Sequence, residues 1–112
     1  MRKRFEQQLN ELNQEMQEMG RMVEGGIQKA IEALLKQDEA LAQSVMEADA
    51  LVDQKQKEIE SICFKLLMQQ QPVASDLRVI SAALKMVTDM ERIGDHAADI
   101  SEMTLHLRSE EH

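Results

Sequence analysis

The sequence predicts an all-α fold, an antiparallel bundle of three long helices. Its 112 residues include two aromatic residues and nine methionines, and 43% are hydrophobic, which predicts an aliphatic core and favours helices over a β-sandwich. One proline and four glycines leave few places where a helix would be interrupted. Apolar residues recur at steps of three and four along the chain. This length predicts one domain, residues 1–112.

The first helix is predicted over about residues 2–36. Phe5, Leu9 and Leu12 begin an apolar stripe with alternating steps of four and three, which is typical of a helix that packs against other helices. Gly25-Gly26 lies within this stripe and costs about 1 kcal/mol per glycine relative to alanine. We therefore expect either a bend or a close helix approach at these glycines.

Two further helices are predicted over about residues 38–70 and 73–108. Asp38 is a suitable N-cap for the second helix, because its carboxylate accepts hydrogen bonds from unpaired amides of the first turn. Pro72 ends the second helix, since proline disfavours helical geometry in Gln71, and it suits the first turn of the third helix. A tight reversal at these two residues makes the second and third helices antiparallel.

Charge and composition argue against several classes of protein. A net charge of −8 without Trp or Tyr is unlike a nucleic-acid-binding surface, which needs basic residues and usually exposed aromatic rings. No apolar run approaches the ~18 residues of a membrane span, and the N-terminus leads into an amphipathic pattern rather than a signal peptide. We expect a cytoplasmic protein that neither binds nucleic acid nor inserts into a membrane.

The sequence offers little for catalysis. The single cysteine, Cys63, lies among apolar neighbours and is expected to be a buried structural thiol. His96, His106 and His112 show no spacing typical of a Ser-His-Asp or Cys-His site. A metal-dependent hydrolase would also need a general base and a substrate pocket, for which the sequence offers no candidate. We expect no enzymatic activity.

Acidic residues are concentrated in the second and third predicted helices. Residues 1–37 carry six basic and six acidic side chains, so the whole net charge of −8 lies beyond them. Two pairs stand out, Asp49 with Asp53 and Glu91 with Asp95. Like charges four residues apart share a helix face and destabilise the helix by about 0.2–0.5 kcal/mol. Folding stability therefore gives no reason for these pairs.

The two acidic pairs are predicted to meet between the second and third helices. Asp49 and Asp95 are both 23 residues from position 72, and Asp53 and Glu91 are both 19 residues from it. The hairpin therefore places Asp49 level with Asp95, and Asp53 level with Glu91. Four carboxylates this close repel one another unless a cation lies among them, and their oxygens suit Mg²⁺, Ca²⁺, Mn²⁺ or ferric iron. The alternative is a structural or adaptor bundle whose acidic surface is solvated and binds no specific metal.

Two arginines of the third helix, Arg78 and Arg92, are candidate contacts for phosphate or for carboxylates of a partner protein. Either role uses the planar guanidinium, which donates paired hydrogen bonds to an anion. An intramolecular ion pair is the simpler expectation for each of them.

Four segments of the chain carry a family resemblance. They are QPVASDLR at residues 71–78, ERIGDHA at residues 91–97, and the patterns of residues 5–24 and 38–49. Together they resemble the signature of the PhoU family, regulators of bacterial phosphate uptake, over nearly the whole chain. The resemblance implies a three-helix PhoU repeat and a protein that is not an enzyme.

The resemblance also implies a metal centre. The family's (Glu/Asp)-x-x-x-Asp motifs fall on Asp49, Asp53, Glu91 and Asp95, the residues that the hairpin register selects. Asp99, where the family often has Asn, would add a fifth oxygen ligand. Iron or zinc is the metal implied by the family, whereas the residues alone also allow Mg, Mn or Ca.

Regulation by protein contact is the function that the resemblance implies. The expected partners are the ATPase of a phosphate ABC transporter and a membrane sensor histidine kinase, and the phosphate-starvation response is held off while phosphate is plentiful. Metal is expected to rigidify the hairpin and to present an acidic face to these partners. PhoU proteins usually contain two repeats, so we expect either the N-terminal half of a longer protein or a single-repeat homodimer.

Overall fold

The computed structural model describes residues 2–69 and 72–111. Within these ranges the chain forms three α-helices, α1 (Arg2–Lys36), α2 (Glu39–Gln69) and α3 (Ala74–Glu111). Each helix packs against both others in a rod with extents of 62 × 17 × 16 Å. The predicted all-α three-helix bundle is confirmed. No helix in these ranges combines the length and hydrophobicity that a membrane span requires.

The observed helix bounds lie close to the predicted ones. α1 has the predicted bounds, and α2 starts at Glu39 because Asp38 caps it. Gln70, predicted to end the second helix, and Gln71 of the predicted reversal lie outside the described residues. α3 starts one residue later than predicted and continues to Glu111, three residues beyond its predicted end.

Two residues connect α1 to α2. Gln37 has a φ of 55°, in the left-handed region, and the amide of Asp38 donates a hydrogen bond to the carbonyl of Ala33 at 2.9 Å. This geometry commonly ends helices. The side-chain amide of Gln37 also donates to the carbonyl of Leu34 at 2.8 Å. Asp38 Oδ1 accepts a hydrogen bond from the amide of Leu41 at 3.0 Å and thereby caps α2.

The start of α3 is fixed by Asp76. The amide of Val73 donates a hydrogen bond to Asp76 Oδ2 at 3.2 Å, and the amide of Leu77 donates to the carbonyl of Val73 at 3.1 Å. Val73 is therefore the N-cap, and the buried Asp76 stands at the third helical position. Pro72 precedes this cap and lies outside α3, which agrees with the predicted start of the third helix at about residue 73.

Cys63 is a buried, unreactive part of the core, and its burial raises the pKa of the thiol to about 11.

The residues that form the core differ between the two parts of the rod. The larger part of the core contains aliphatic residues and one phenylalanine from all three helices: Phe5, Leu12, Met19, Val23, Val52, Ile59, Ile62, Cys63, Leu66, Ile80, Ala83 and Val87. Towards the connection between α1 and α2 it contains small residues instead: Ala30, Ala33, Ala42, Val45, Ala97, Ser101 and Thr104.

Gly25-Gly26 does not interrupt α1. The helix continues through both glycines, and neither has a positive φ. A Cβ added at Gly26 would lie 3.9 Å from the Cβ of Ala97, whereas one added at Gly25 would meet nothing within 4 Å. Of the two expectations for this segment, the structure shows a close approach to α3 at Gly26.

Candidate metal centre

Acidic residues of α2 and α3 lie side by side. Asp49 and Asp53 are one turn apart on α2, and Asp95 lies on the neighbouring, antiparallel α3. One carboxylate oxygen of each aspartate lies within 4.8 Å of the other two. The helix register predicted from equal distances to residue 72 is therefore the observed one.

Glu91 lies next to the three aspartates. A side-chain hydrogen bond with Asp95 raises the pKa of Glu91, and burial and the negative charges of the aspartates raise it further. The shift has the direction expected for a carboxyl group that lies among other carboxylates. We call Asp49, Asp53, Glu91 and Asp95 the acidic cluster.

Asp49 is the member of the acidic cluster that lies against the core. It is half-buried, and burial is the main cause that raises its pKa. The negative charges of Asp53, Asp95 and Asp99 raise the pKa of Asp49 further. Asp99 is thus close enough to act on Asp49 electrostatically, although it is exposed and is not one of the three aspartates with converging oxygens.

The acidic cluster forms no ion pair with a lysine or arginine in the part of the chain that the structure describes. Within residues 2–69 and 72–111, none of the ion pairs involves a member of the cluster. Lys55, two residues after Asp53, instead pairs with Glu15 of α1 at 2.6 Å and with Glu18 and Glu58 at 3.2 and 3.4 Å. The hydrogen bond to Glu15 raises the pKa of Lys55. The repulsion among the clustered carboxylates is therefore not offset by a neighbouring lysine or arginine.

Sequence reasoning did not identify this Lys55 network. The spacing of Lys55 and Glu58 is a visible signal for a local ion pair on α2, but the stronger contact joins α2 to α1. Residue spacing within one helix does not reveal such a contact. The network ties α1 to the part of α2 that follows Asp53.

Gly94 sets the distance between α3 and α2 at the acidic cluster. A Cβ added at this buried glycine would lie 3.2 Å from Val52 Cγ1, 3.8 Å from Asp49 Oδ1 and 3.9 Å from Val23 Cγ2. The first of these distances is tight for a side-chain contact. The absent side chain therefore lets α3 approach Asp49 closely, as glycine permits at helix contacts.

The converging oxygens fit one hard cation. Oxygen ligands lie about 2.3–2.6 Å from Ca²⁺ and about 2.0–2.1 Å from Mg²⁺, so two oxygens on one ion are at most about 5 Å apart for Ca²⁺ and about 4 Å apart for Mg²⁺. The separation of up to 4.8 Å between the oxygens of Asp49, Asp53 and Asp95 lies within the limit for Ca²⁺, and a smaller cation would draw the oxygens closer together. The donor group consists of carboxylates alone, which favours hard cations, ferric iron included, over soft ones.

The two candidate arginines lie apart from each other. Arg92 is exposed, and its guanidinium lies 4.0 Å from Asp89 Oδ1, which is the expected intramolecular ion pair. Arg78 is exposed near the start of α3, 14 residues before Arg92. At 1.5 Å per residue this separation is about 21 Å, so the two side chains do not form one phosphate site.

Comparison with known proteins gives concordant matches. Residues 16–104 match the family model described as the PhoU domain. The chain is 47% identical over 112 residues to the PhoU homolog of Clostridium acetobutylicum, which covers 99% of this chain and 51% of that protein. It is 39% identical over 106 residues to the PhoU homolog of Pseudomonas putida, and this match covers 95% of this chain and 41% of that protein. Both relatives are described as phosphate-specific transport system accessory proteins.

A solved structure agrees with these sequence matches. The crystal structure of PhoU from Pseudomonas aeruginosa matches this chain with a TM-score of 0.92 and 37% sequence identity, over 95% of this chain and 51% of that one. The chain thus spans about half the length of the relatives it matches, or less. The segment that matches the family model contains the whole acidic cluster and Asp99. The chain belongs to the PhoU family.

Proposed function

We propose that this chain acts in phosphate transport as a cytoplasmic regulator that works by protein contact and not as an enzyme. The names of its relatives support an accessory role in a phosphate-specific transport system. Its proposed partners are the ATPase of a phosphate ABC transporter and the cytoplasmic part of a membrane sensor histidine kinase. Its proposed effect is to hold off the phosphate-starvation response while phosphate is plentiful.

We further propose that the acidic cluster binds metal. The observation that carries this proposal is the convergence of carboxylates from two helices, with no ion pair to a basic residue among the described residues. Asp49, Asp53 and Asp95 would supply three oxygens, and Glu91 and Asp99 would supply further ones. Iron is the first metal to test and zinc the second, with Mn, Mg and Ca as alternatives that the all-oxygen donor set also suits.

Metal binding would join α2 to α3 and thereby stabilise the hairpin. A ligand that binds only the folded state adds about 2.7 kcal/mol of stability at a concentration of 100 times its Kd. Binding would also offset the repulsion that raises the pKa of Asp49 and Glu91, because ligating carboxylates are ionised and the cation balances their charge. The surface of α2 and α3 offered to a partner would then be held in one arrangement and carry less negative charge.

Metal content per chain tests this assignment. Elemental analysis of protein purified without chelator or histidine tag should give a stoichiometric transition metal, and the double variant Asp49→Asn/Asp95→Asn should contain none. Asp89→Asn is the matched control, because Asp89 is a carboxylate of α3 that pairs with Lys85 and Arg92 outside the cluster. Metal in the double variant would contradict the ligand assignment. A metal-free wild type would favour the adaptor bundle with a solvated acidic surface.

Partner contact requires its own experiment. We expect the wild-type chain, with metal added, to bind the purified transporter ATPase or the cytoplasmic part of the kinase. Binding should weaken in chelator and in the double variant Asp49→Asn/Asp95→Asn, whereas Asp89→Asn should bind like the wild type. No binding to either protein would contradict the proposed mode of regulation and leave the metal assignment in place.

A further inference from the structure

A groove runs along the surface between α1 and α2. Arg21, Met22 and Lys29 line it from α1, and Ala48 and Leu51 are among the apolar residues that line it from α2. Its volume of about 290 Å³ is at the lower limit of the ~300–1,000 Å³ typical of sites that enclose a small molecule. The groove therefore suits a few side chains of another protein better than a cofactor.

Gly25 forms part of this groove without contributing to the packing of the bundle. A glycine weakens the middle of a helix relative to alanine. At Gly26 the close approach of Ala97 accounts for the missing side chain, but a Cβ added at Gly25 would meet nothing within 4 Å. The absent side chain of Gly25 instead leaves room for a segment of another protein to approach the backbone of α1.

Two cations flank Gly25 on the same face of α1. Arg21 lies four residues before it and Lys29 four residues after it, and both side chains are exposed where they line the groove. Within residues 2–69 and 72–111 neither forms an ion pair, although other lysines and arginines of this acidic chain do. The groove thus carries two unpaired positive charges whose residues are about 12 Å apart along the helix, at 1.5 Å per residue.

We propose that this groove binds an amphipathic helix of a partner protein that carries two carboxylates about two turns apart, one for Arg21 and one for Lys29. Residues seven apart on such a helix are separated by about 10.5 Å, which matches the ~12 Å between the two cationic residues. Apolar side chains between the carboxylates would occupy the groove, as in other complexes in which an amphipathic helix lies in a groove. The charge of the groove is complementary to an acidic segment.

The lining of the groove disfavours two other occupants. A free oxyanion such as inorganic phosphate needs several hydrogen-bond donors, and apart from the two cations only Ser44 among the described lining residues supplies a polar side chain. A lipid surface takes up apolar side chains that project outwards, whereas Val45 and Val52 are buried at the base of the groove. The inference rests on the proposed function, because contact with a partner protein is its premise, and it assigns that contact to residues outside the acidic cluster.

Titration with a synthetic helical peptide, followed by NMR in a buffer that contains chelator, tests the groove. The probe is a peptide of about 18 residues with capped ends, two glutamates seven positions apart and leucines between them. The acidic peptide should shift the amide signals of Gly25 and Gly26 and leave that of Gly20, which lies next to Met90 of α3, unchanged. A second peptide, with glutamine in place of both glutamates, should bind at least about tenfold more weakly.

Two pairs of charge reversals locate the contact. Arg21→Glu/Lys29→Glu should weaken binding of the acidic peptide at least about tenfold, because attraction becomes repulsion. Lys57→Glu/Lys65→Glu is the matched control, since these lysines of α2 are also exposed and eight residues apart. At physiological salt the control should bind within about threefold of the wild type. Gly25→Leu fills the groove without changing charge, so it should weaken binding and, by circular dichroism, melt no lower than the wild type.

Failure of the wild type to bind the acidic peptide, or equal binding of the two peptides, would overturn the proposal. It would also be overturned if the control pair lost as much binding as Arg21→Glu/Lys29→Glu, or if inorganic phosphate alone shifted the Gly25 signal as the peptide does. Because the peptide replaces the partner and chelator removes metal, these results leave the proposed function and the metal assignment unaffected. Conversely, absence of binding to the transporter ATPase and to the kinase would contradict the proposed function even if the peptide binds.

Discussion

Removing one charge from the acidic cluster should stabilise the metal-free protein. Asp49→Asn is the most informative change, because asparagine keeps the shape of the side chain and removes the charge that lies against the core. Most substitutions of half-buried residues destabilise a protein. An increase in stability would therefore report directly on the repulsion that the structure indicates.

The magnitude follows from two neighbouring charges. Asp53 and Asp95 each have an oxygen within 4.8 Å of one on Asp49. Two unit charges at this distance interact by about 0.9 kcal/mol in a water-like dielectric, which suits a site open to solvent. Removing both repulsions should raise the free energy of unfolding by about 1–2 kcal/mol at neutral pH. The melting temperature should rise by about 5 °C for each kcal/mol.

The gain should depend on pH. Burial and neighbouring charges raise the pKa of Asp49 above its ordinary 3.8, so the folded state binds this proton more tightly than the unfolded state does. Stability from this group is present at low pH and is lost as pH rises from the ordinary pKa through the raised one. Asp49→Asn does not titrate there. Its advantage over the wild type should be largest at neutral pH and should shrink as pH falls towards 4.

Thermal unfolding followed by circular dichroism measures these effects, with and without metal. In chelator the variant should melt above the wild type. With metal at 100 times its Kd the wild type should gain about 2.7 kcal/mol and melt above the variant, because the variant has lost a ligand. The order of the two melting temperatures should therefore reverse when metal is added.

Asp89→Asn provides the contrast. Asp89 lies 3.8 Å from Lys85 and 4.0 Å from Arg92, so removing its charge breaks exposed ion pairs and should lower stability by up to about 0.5 kcal/mol. If Asp49→Asn lowers stability in chelator as Asp89→Asn does, the carboxylates of the cluster do not repel one another as reasoned. An unchanged response of Asp49→Asn to metal would refute its role as a ligand.

Two further predictions compare paired substitutions by urea denaturation. Gly25→Ala should raise the free energy of unfolding by about 1 kcal/mol. Gly94→Ala should raise it less or lower it, because the added Cβ would lie 3.2 Å from a methyl of Val52. Equal increases for the two variants would contradict the close helix contact at Gly94. Ser101→Ala should raise it by about 1 kcal/mol, because this fully buried hydroxyl has no hydrogen-bond partner among the described residues. Thr104→Val should not raise the free energy of unfolding, because the Thr104 hydroxyl donates a hydrogen bond to a backbone carbonyl one turn earlier at 3.2 Å. An increase as large as that of Ser101→Ala would contradict the assignment of the cost to the unpaired hydroxyl.

The helices could be predicted from the sequence because they depend on local signals. The apolar period and Asp38 act within a few residues of the structure they determine, and α1 has the predicted bounds. The start of α3 depends on a local signal as well. Asp76, three residues after Val73, accepts the hydrogen bond from Val73 that fixes the start of α3, and the prediction had considered only the proline before it.

The candidate metal centre was predictable in part. Because α2 and α3 are continuous antiparallel helices, residues at equal distances along the chain from the connection between them lie level with each other. Distance does not determine how far each helix is rotated about its axis. The rotation of each helix decides that oxygens of Asp49, Asp53 and Asp95 converge while Glu91 lies beside Asp95.

The sequence by itself determined three helices, their antiparallel order and the level at which the acidic residues meet. Tertiary structure alone decided how α1 packs on the hairpin of α2 and α3. That packing directs Lys55 to Glu15 and away from the acidic cluster, brings Val23 to Gly94, and forms the groove between α1 and α2. Spacing within a helix fixes the relative positions of its own residues. The rotation and axial position of one helix against another are fixed by the packing of side chains from all three.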